Sequence, residues 1–200
     1  NEEAAKLSGI LQTTSGLSAE QAEELTEGAY QLAQANNVAP KAVVQDLAAS
    51  AEEFASFSKD GGDNLVQAAI QARALGLSLQ DTAKISEGLL NFQDSITKEV
   101  EASVLIGRQL NLQKARELAL NNDIEGAMRA VVDQVGSESE FNKLNAIQRQ
   151  SIAKSIGVSV AEMKKLVGQS DKLTLSGALA GKTFDDLVGQ DSLSALTAIV

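Results

Sequence analysis

Apolar residues recur three or four positions apart along most of the chain, and rarely at every second position. That spacing predicts helices rather than strands. The longest stretch of this kind is 92–120, FQDSITKEVEASVLIGRQLNLQKARELAL, with no proline and one glycine. Leu89, Phe92, Ile96, Val100, Val104 and Gly107 fall three or four apart and are expected to form one stripe. A helix over 94–108 would run about 22 Å, the width of a small domain. Its stripe is the expected surface on which shorter helices pack. Asp94 and Lys98, four apart with the acid first, are expected on a solvated face.

Shorter helices are expected over 1–14, 19–35, 41–57, 65–75, 82–90, 112–120 and 124–135, with another running to Ser155. Ser50 is a point where the third could restart, and 58–63 (SKDGGD) is the clearest turn. One joint recurs at Gly16, Asn37, Gly76 and Gly157: a closing residue, an apolar residue, then Ser or Ala. Capping pairs stand at Ser18 and Gln21, Ser78 and Asp81, Asn145 and Gln148, and Ser159 and Glu162. Pro40 suits the first turn of a helix. The joints lie 21, 39 and 81 residues apart, which is no single period and argues against a regular solenoid. The segment 136–140 reads as a polar turn, and beyond Gly168 the helical signals weaken. The expected fold is therefore all-α: a compact multi-helix module of about nine or ten short to medium helices with Gly/Ser-capped turns. It would occupy 1–168, divisible into 1–90 and 91–168, and 169–200 would be a weakly structured tail or linker.

Composition supports this picture. The 200 residues are 44% hydrophobic, much of it alanine, with six aromatics and one proline, which suits helices packed closely through small side chains. Histidine and cysteine are both absent. That removes the commonest proton-transfer side chain, the thiolate nucleophile and Cys-type zinc sites, and with them most hydrolase designs. A net charge of −10 argues against a surface that sheathes nucleic acid or anionic membrane throughout. No run approaches the roughly 18 apolar residues of a membrane helix. The first residues, opening at Asn1, show no signal-peptide pattern, and the last grow apolar. Both ends read as cuts, so an excerpt of a longer protein is expected.

Few motifs carry chemistry. The run 176–183, SGALAGKT, ends like a phosphate-cradling loop, but three residues separate its glycines where that loop needs four. Asp60 to Asn64 resembles the start of a calcium loop, yet its twelfth position is Gln71 rather than Glu. Glu23-Glu24, Glu52-Glu53 and Asp185-Asp186 are adjacent, so on a helix each pair diverges by about 100° and forms no acid/base dyad. Phe54, Phe57, Phe92 and Phe141 are expected as core anchors. No catalytic, cofactor or metal-ligating residue is nominated. The one alternative lies in 150–166, QSIAKSIGVSVAEMKKL, where Ala153, Gly157 and Met163 stand at helix-turn-helix offsets. Between Lys143 and Lys172, six basic residues face two acids, net +4, which leaves −14 for the rest of a chain at −10. Nucleic-acid contact using residues 146–168 would fall to Arg149, Lys154, Lys164 and Lys165.

Several segments carry a family likeness: 36–43 (NNVAPKAV), 75–78 (LGLS), 101–108 (EASVLIGR), 114–119 (KARELA), 135–138 (VGSE), 141–144 (FNKL) and 148–158. Together they resemble, in the same order, the long tail tape measure proteins of marine tailed bacteriophages, over roughly residues 5 to 168. The resemblance implies a non-enzymatic, largely helical virion protein, assembled in the host cytoplasm, that lies in the tail tube and sets tail length. It would also leave the particle as DNA is delivered. It implies a homo-oligomer and partners among tail tube or baseplate proteins. Joints every 15 to 20 residues suit a compact helical module of such a protein rather than one continuous rod.

Overall fold

The computed structural model describes residues 2–14 and 16–168. Among them are twelve α-helices, one 3-10 turn over Asp60–Gly62, and no strand. The helices are α1 (Glu2–Thr14), α2 (Ala19–Ala35), α3 (Pro40–Ala49), α4 (Ala51–Phe57), α5 (Asp63–Ala74) and α6 (Leu79–Leu90). They continue as α7 (Phe92–Ile106), α8 (Gln113–Leu120), α9 (Ile124–Val135), α10 (Glu138–Lys143), α11 (Ala146–Ile156) and α12 (Val160–Gly168). The molecule is an all-α, multi-helix module, as the spacing predicts.

The joints form as their chemistry requires. Asn37, Gly76 and Gly157 take the left-handed conformation, with φ of 56°, 71° and 82°. The next amide then returns to a carbonyl one turn inside the helix: Val38 to Ala33 (2.9 Å), Leu77 to Ala72 (2.8 Å) and Val158 to Ala153 (3.0 Å). This closure satisfies carbonyls that the helix end would strand. Asn122, φ 59°, makes a fourth such joint, with Asp123 donating to Leu118 at 2.9 Å. At Gly16 (φ 66°) the return reaches further back, from Leu17 to Leu11, and is looser at 3.4 Å. All four expected capping pairs are formed, and Pro40 stands at the start of α3.

Two segments differ from the pattern reading. The expected 41–57 helix breaks at Ser50, whose buried hydroxyl donates to the Asp46 carbonyl at 2.7 Å. The expected turn at 136–140 instead starts α10, because Ser137 and Glu140 form a further capping box.

Helices α1, α2 and α3 pack on one another, and α4 lies against α1. The middle of the fold is α5 and α6 against α8 and α9. Helix α7 pairs chiefly with α11, while α12 meets α9, α10 and α11. Leu7, Leu11, Leu47, Phe54, Leu65, Leu79, Ile85, Leu89 and Phe141 are buried among many buried alanines, including Ala22, Ala29, Ala69, Ala102 and Ala127. Each fully buried Leu or Phe contributes about 1.5–3 kcal/mol relative to an exposed one. Small alanines let the helix axes approach. Helix α6 comes close to the end of α11, where a Cβ added at Gly88 would run into the Ile156 carbonyl and lie 3.0 Å from the Gly157 Cα. No helix among the described residues is long and apolar enough to cross a membrane.

Candidate functional site

Helix α7 shows the largest departure from expectation. Of the predicted stripe only Leu89 is buried. Phe92, Ile96, Val100 and Val104 are exposed by 44, 48, 58 and 76%, and Gly107 is also exposed. The stripe is not the packing surface, and Phe92, unlike Phe54, Phe57 and Phe141, is no core anchor.

The cause lies in the opposite row. Ser95, Glu99, Ala102 and Ile106 fall at a 4-3-4 spacing, which keeps them on one line along a helix. Ser95 and Ala102 are buried, while Glu99 and Ile106 are half-buried. This row holds α7 to the fold through polar contacts. Arg116 Nη2 lies 2.7 Å from Glu99 Oε2, and its Nη1 donates to Ser95 Oγ at 3.1 Å. Glu99 Oε2 also accepts from the Leu112 amide at 3.2 Å, at the start of α8. Ser95 Oγ donates to the Ser155 carbonyl on α11 at 3.4 Å, and Gln148 Nε2 to the Leu105 carbonyl at 2.9 Å. These two contacts fix α7 and α11 antiparallel. Ser103 Oγ takes the Leu110 amide at 2.9 Å, so the chain folds back directly after α7. Arg108 then closes α9 by donating to the Gln134 and Val135 carbonyls at 2.8 and 2.7 Å.

Once this row faces inward, the apolar residues must turn out. Each step of four advances about 40° beyond a full turn. The row from Phe92 to Val104 therefore starts beside the buried side and rolls away from it. The steady rise in exposure follows that drift. The sequence did carry a signal for the true packing face: small and pairable side chains at heptad spacing.

The helix-turn-helix candidates divide. Ala153 and Met163 are buried, and the Gly157 turn sits on α6 at Gly88. Arg149 is committed within the fold, donating from Nε to the Phe141 carbonyl (3.2 Å) and from Nη2 to the Asn142 carbonyl (2.6 Å). Lys165 Nζ donates to the Gly76 carbonyl at 3.2 Å. Lys154 and Lys164 are exposed. Lys172, 176–183 and Asp185-Asp186 lie outside the described residues.

The buried acids are structural. Asp46 on α3 accepts the Leu79 amide at 2.7 Å and Arg73 Nε at 3.2 Å, which ties α5 and α6 to α3. Burial raises its pKa, against the opposing pull of the Leu79 N–H and Arg73. Glu125 is likewise raised, first by burial, with Arg129 opposing and Asp123 adding to it. Arg129 Nη2 approaches Glu125 Oε1 to 3.0 Å, off the hydrogen-bonding direction, so that contact is ionic only. Glu53 is raised by burial and by Glu52, Glu87 and Asp46. Among the described residues no three Asp or Glu side chains are placed to hold a metal ion.

No family model, curated protein or solved structure matches the chain.

Proposed function

We propose that this chain is a non-enzymatic structural module that works by binding other proteins through α7. Following the likeness of its sequence segments, we assign it to a tail tape measure protein, with roles in tail assembly, tail length and DNA delivery. Its place would be the phage tail, with tail tube or baseplate proteins and copies of itself as partners. The observation that supports the binding role is the apolar row from Phe92 to Val104, held outward by a buried polar anchor. Placing such a row in solvent has a cost in free energy, and surfaces of this kind commonly serve binding. The tail assignment itself rests on the resemblance. Mass spectrometry of purified virions, separated into head and tail fractions, tests it. The protein should be found with the tails; a protein made in infected cells but absent from virions overturns the assignment.

A second reading, nucleic-acid contact through 146–168, draws on the exposed Lys154 and Lys164. With Arg149 and Lys165 engaged in the fold, two lysines remain. Binding would then fall with salt at a logarithmic slope of about −2. Titration of duplex DNA at low salt, with Lys154→Glu and Lys164→Glu for comparison, decides it. Absence of binding removes this reading.

A further inference from the structure

Leu89 and Leu110 are both buried, at 0 and 1% exposure. Residues 90–109 between them include all of α7, yet bury only Ser95 and Ala102. Elsewhere among the described residues, buried Val, Leu, Ile, Met or Phe side chains recur at shorter intervals. Helix α9 alone buries Ile124, Met128, Val131, Val132 and Val135. Helix α7 therefore lacks the large buried side chains that contribute most to holding the other elements.

What holds it is polar. Arg116 engages Glu99 and Ser95, and Glu99 also takes the Leu112 amide. When such a buried pair opens, water solvates both charges, which offsets much of their lost attraction. The ends of α7 add little. Asn91 makes no side-chain cap, and Gly107 closes the helix in the left-handed conformation at φ 71°. Just outside these two residues the chain is fixed, by the burial of Leu89 and by Arg108 on the Gln134 and Val135 carbonyls.

We propose that α7 is a strap, which comes away from α8 and α11 as one cooperative unit while the rest of the fold stays closed. Asn91 and Gly107 bound the unit. Opening bares the Arg116 guanidinium and the Ser155 carbonyl, and it frees the inner row of α7 along with the outer one. The strap stands independently of the protein-binding role and of the tail assignment, since it follows from how α7 is held and not from what meets it.

Native-state hydrogen exchange of the full 200-residue chain, followed amide by amide by NMR, tests it. Amides from Ile96 to Ile106 should share one level of protection, at least about a hundredfold below that of α5 and α9. Low concentrations of urea should speed α5 and α9 more than α7, because the strap exposes less surface when it opens. Ile70→Val, in α5 at 4% exposure, separates a local opening from a global one. It destabilises the closed and the strap-open fold alike. Amides of α5 and α9 should then exchange about three- to tenfold faster, and those of α7 at their former rate. Glu99→Gln, which breaks the pair with Arg116, should speed α7 at least about tenfold. Protection of α7 equal to that of α9 overturns the proposal. So does α7 exchange that rises in step with α5 under Ile70→Val, or that ignores Glu99→Gln.

Discussion

At the scale of single residues, the fold depends on a few polar side chains whose partners come from other helices. Arg116 and Glu99 are both nearly buried, at 10 and 14% side-chain exposure. Removing one leaves the other charge unpaired. Arg116→Ala should cost about 3 kcal/mol in urea unfolding, and the Arg116→Met, Glu99→Gln double variant much less. A double-mutant cycle should show coupling of about 1–3 kcal/mol. Two acids should give opposite pH slopes. Burial lifts the Glu125 pKa, so the folded state holds that proton more readily than the unfolded chain. Its contribution then improves as pH falls through the raised range. Glu125→Gln should be the more stable protein near neutral pH, with the gap closing on acidification. Asp81 is the reverse case. Burial alone would raise it, but the Ser78 amide and hydroxyl outweigh burial and bring it below the ordinary carboxylate range. Asp81→Asn should therefore be the weaker protein at neutral pH, and the wild type should lose its advantage as acid protonates Asp81.

At the scale of elements, the joints and caps were legible because they are local. Gly76 followed by Leu77 and Ser78 determines a left-handed closure and a capping box within six residues. Ser137 follows a glycine that reads as a turn, although it has the same serine-to-acid spacing as the other caps. The buried face of α7 was not legible from apolar spacing. What decides it lies far along the chain: Arg116 is 21 residues from Ser95, and Ser155 is 60. Glu99 faces inward only because Arg116, distant in sequence, pairs with it, and apolar spacing carries no trace of that pair. Helix packing also separates two glycines that look alike in sequence. Gly88→Ala would force its Cβ into the α11 backbone and should cost about 2–3 kcal/mol, seen as a lower Tm. Gly9, inside α1, has open space around its Cβ position. Gly9→Ala should raise stability by about 0.5–1 kcal/mol.

At the scale of the whole molecule, the all-α class followed from composition and period. The surface that best suggests a role lies where the fold departs furthest from the apolar pattern. The nucleic-acid candidates show the same limit, since Arg149 and Lys165 read as free cations until the carbonyls of Phe141, Asn142 and Gly76 are placed beside them.

The hairpin-like joints bear on how the chain reaches this state. Neighbours in sequence pack as α1 with α2, α2 with α3, α5 with α6 and α8 with α9, so much of the structure is assembled from short loops. Refolding in milliseconds or faster is expected for topologies of this kind. The contact of α6 with α11, where Gly88 meets Ile156, closes a much longer span and should be the slow step, so a ribosome-bound chain would hold its earlier hairpins before that clasp is made.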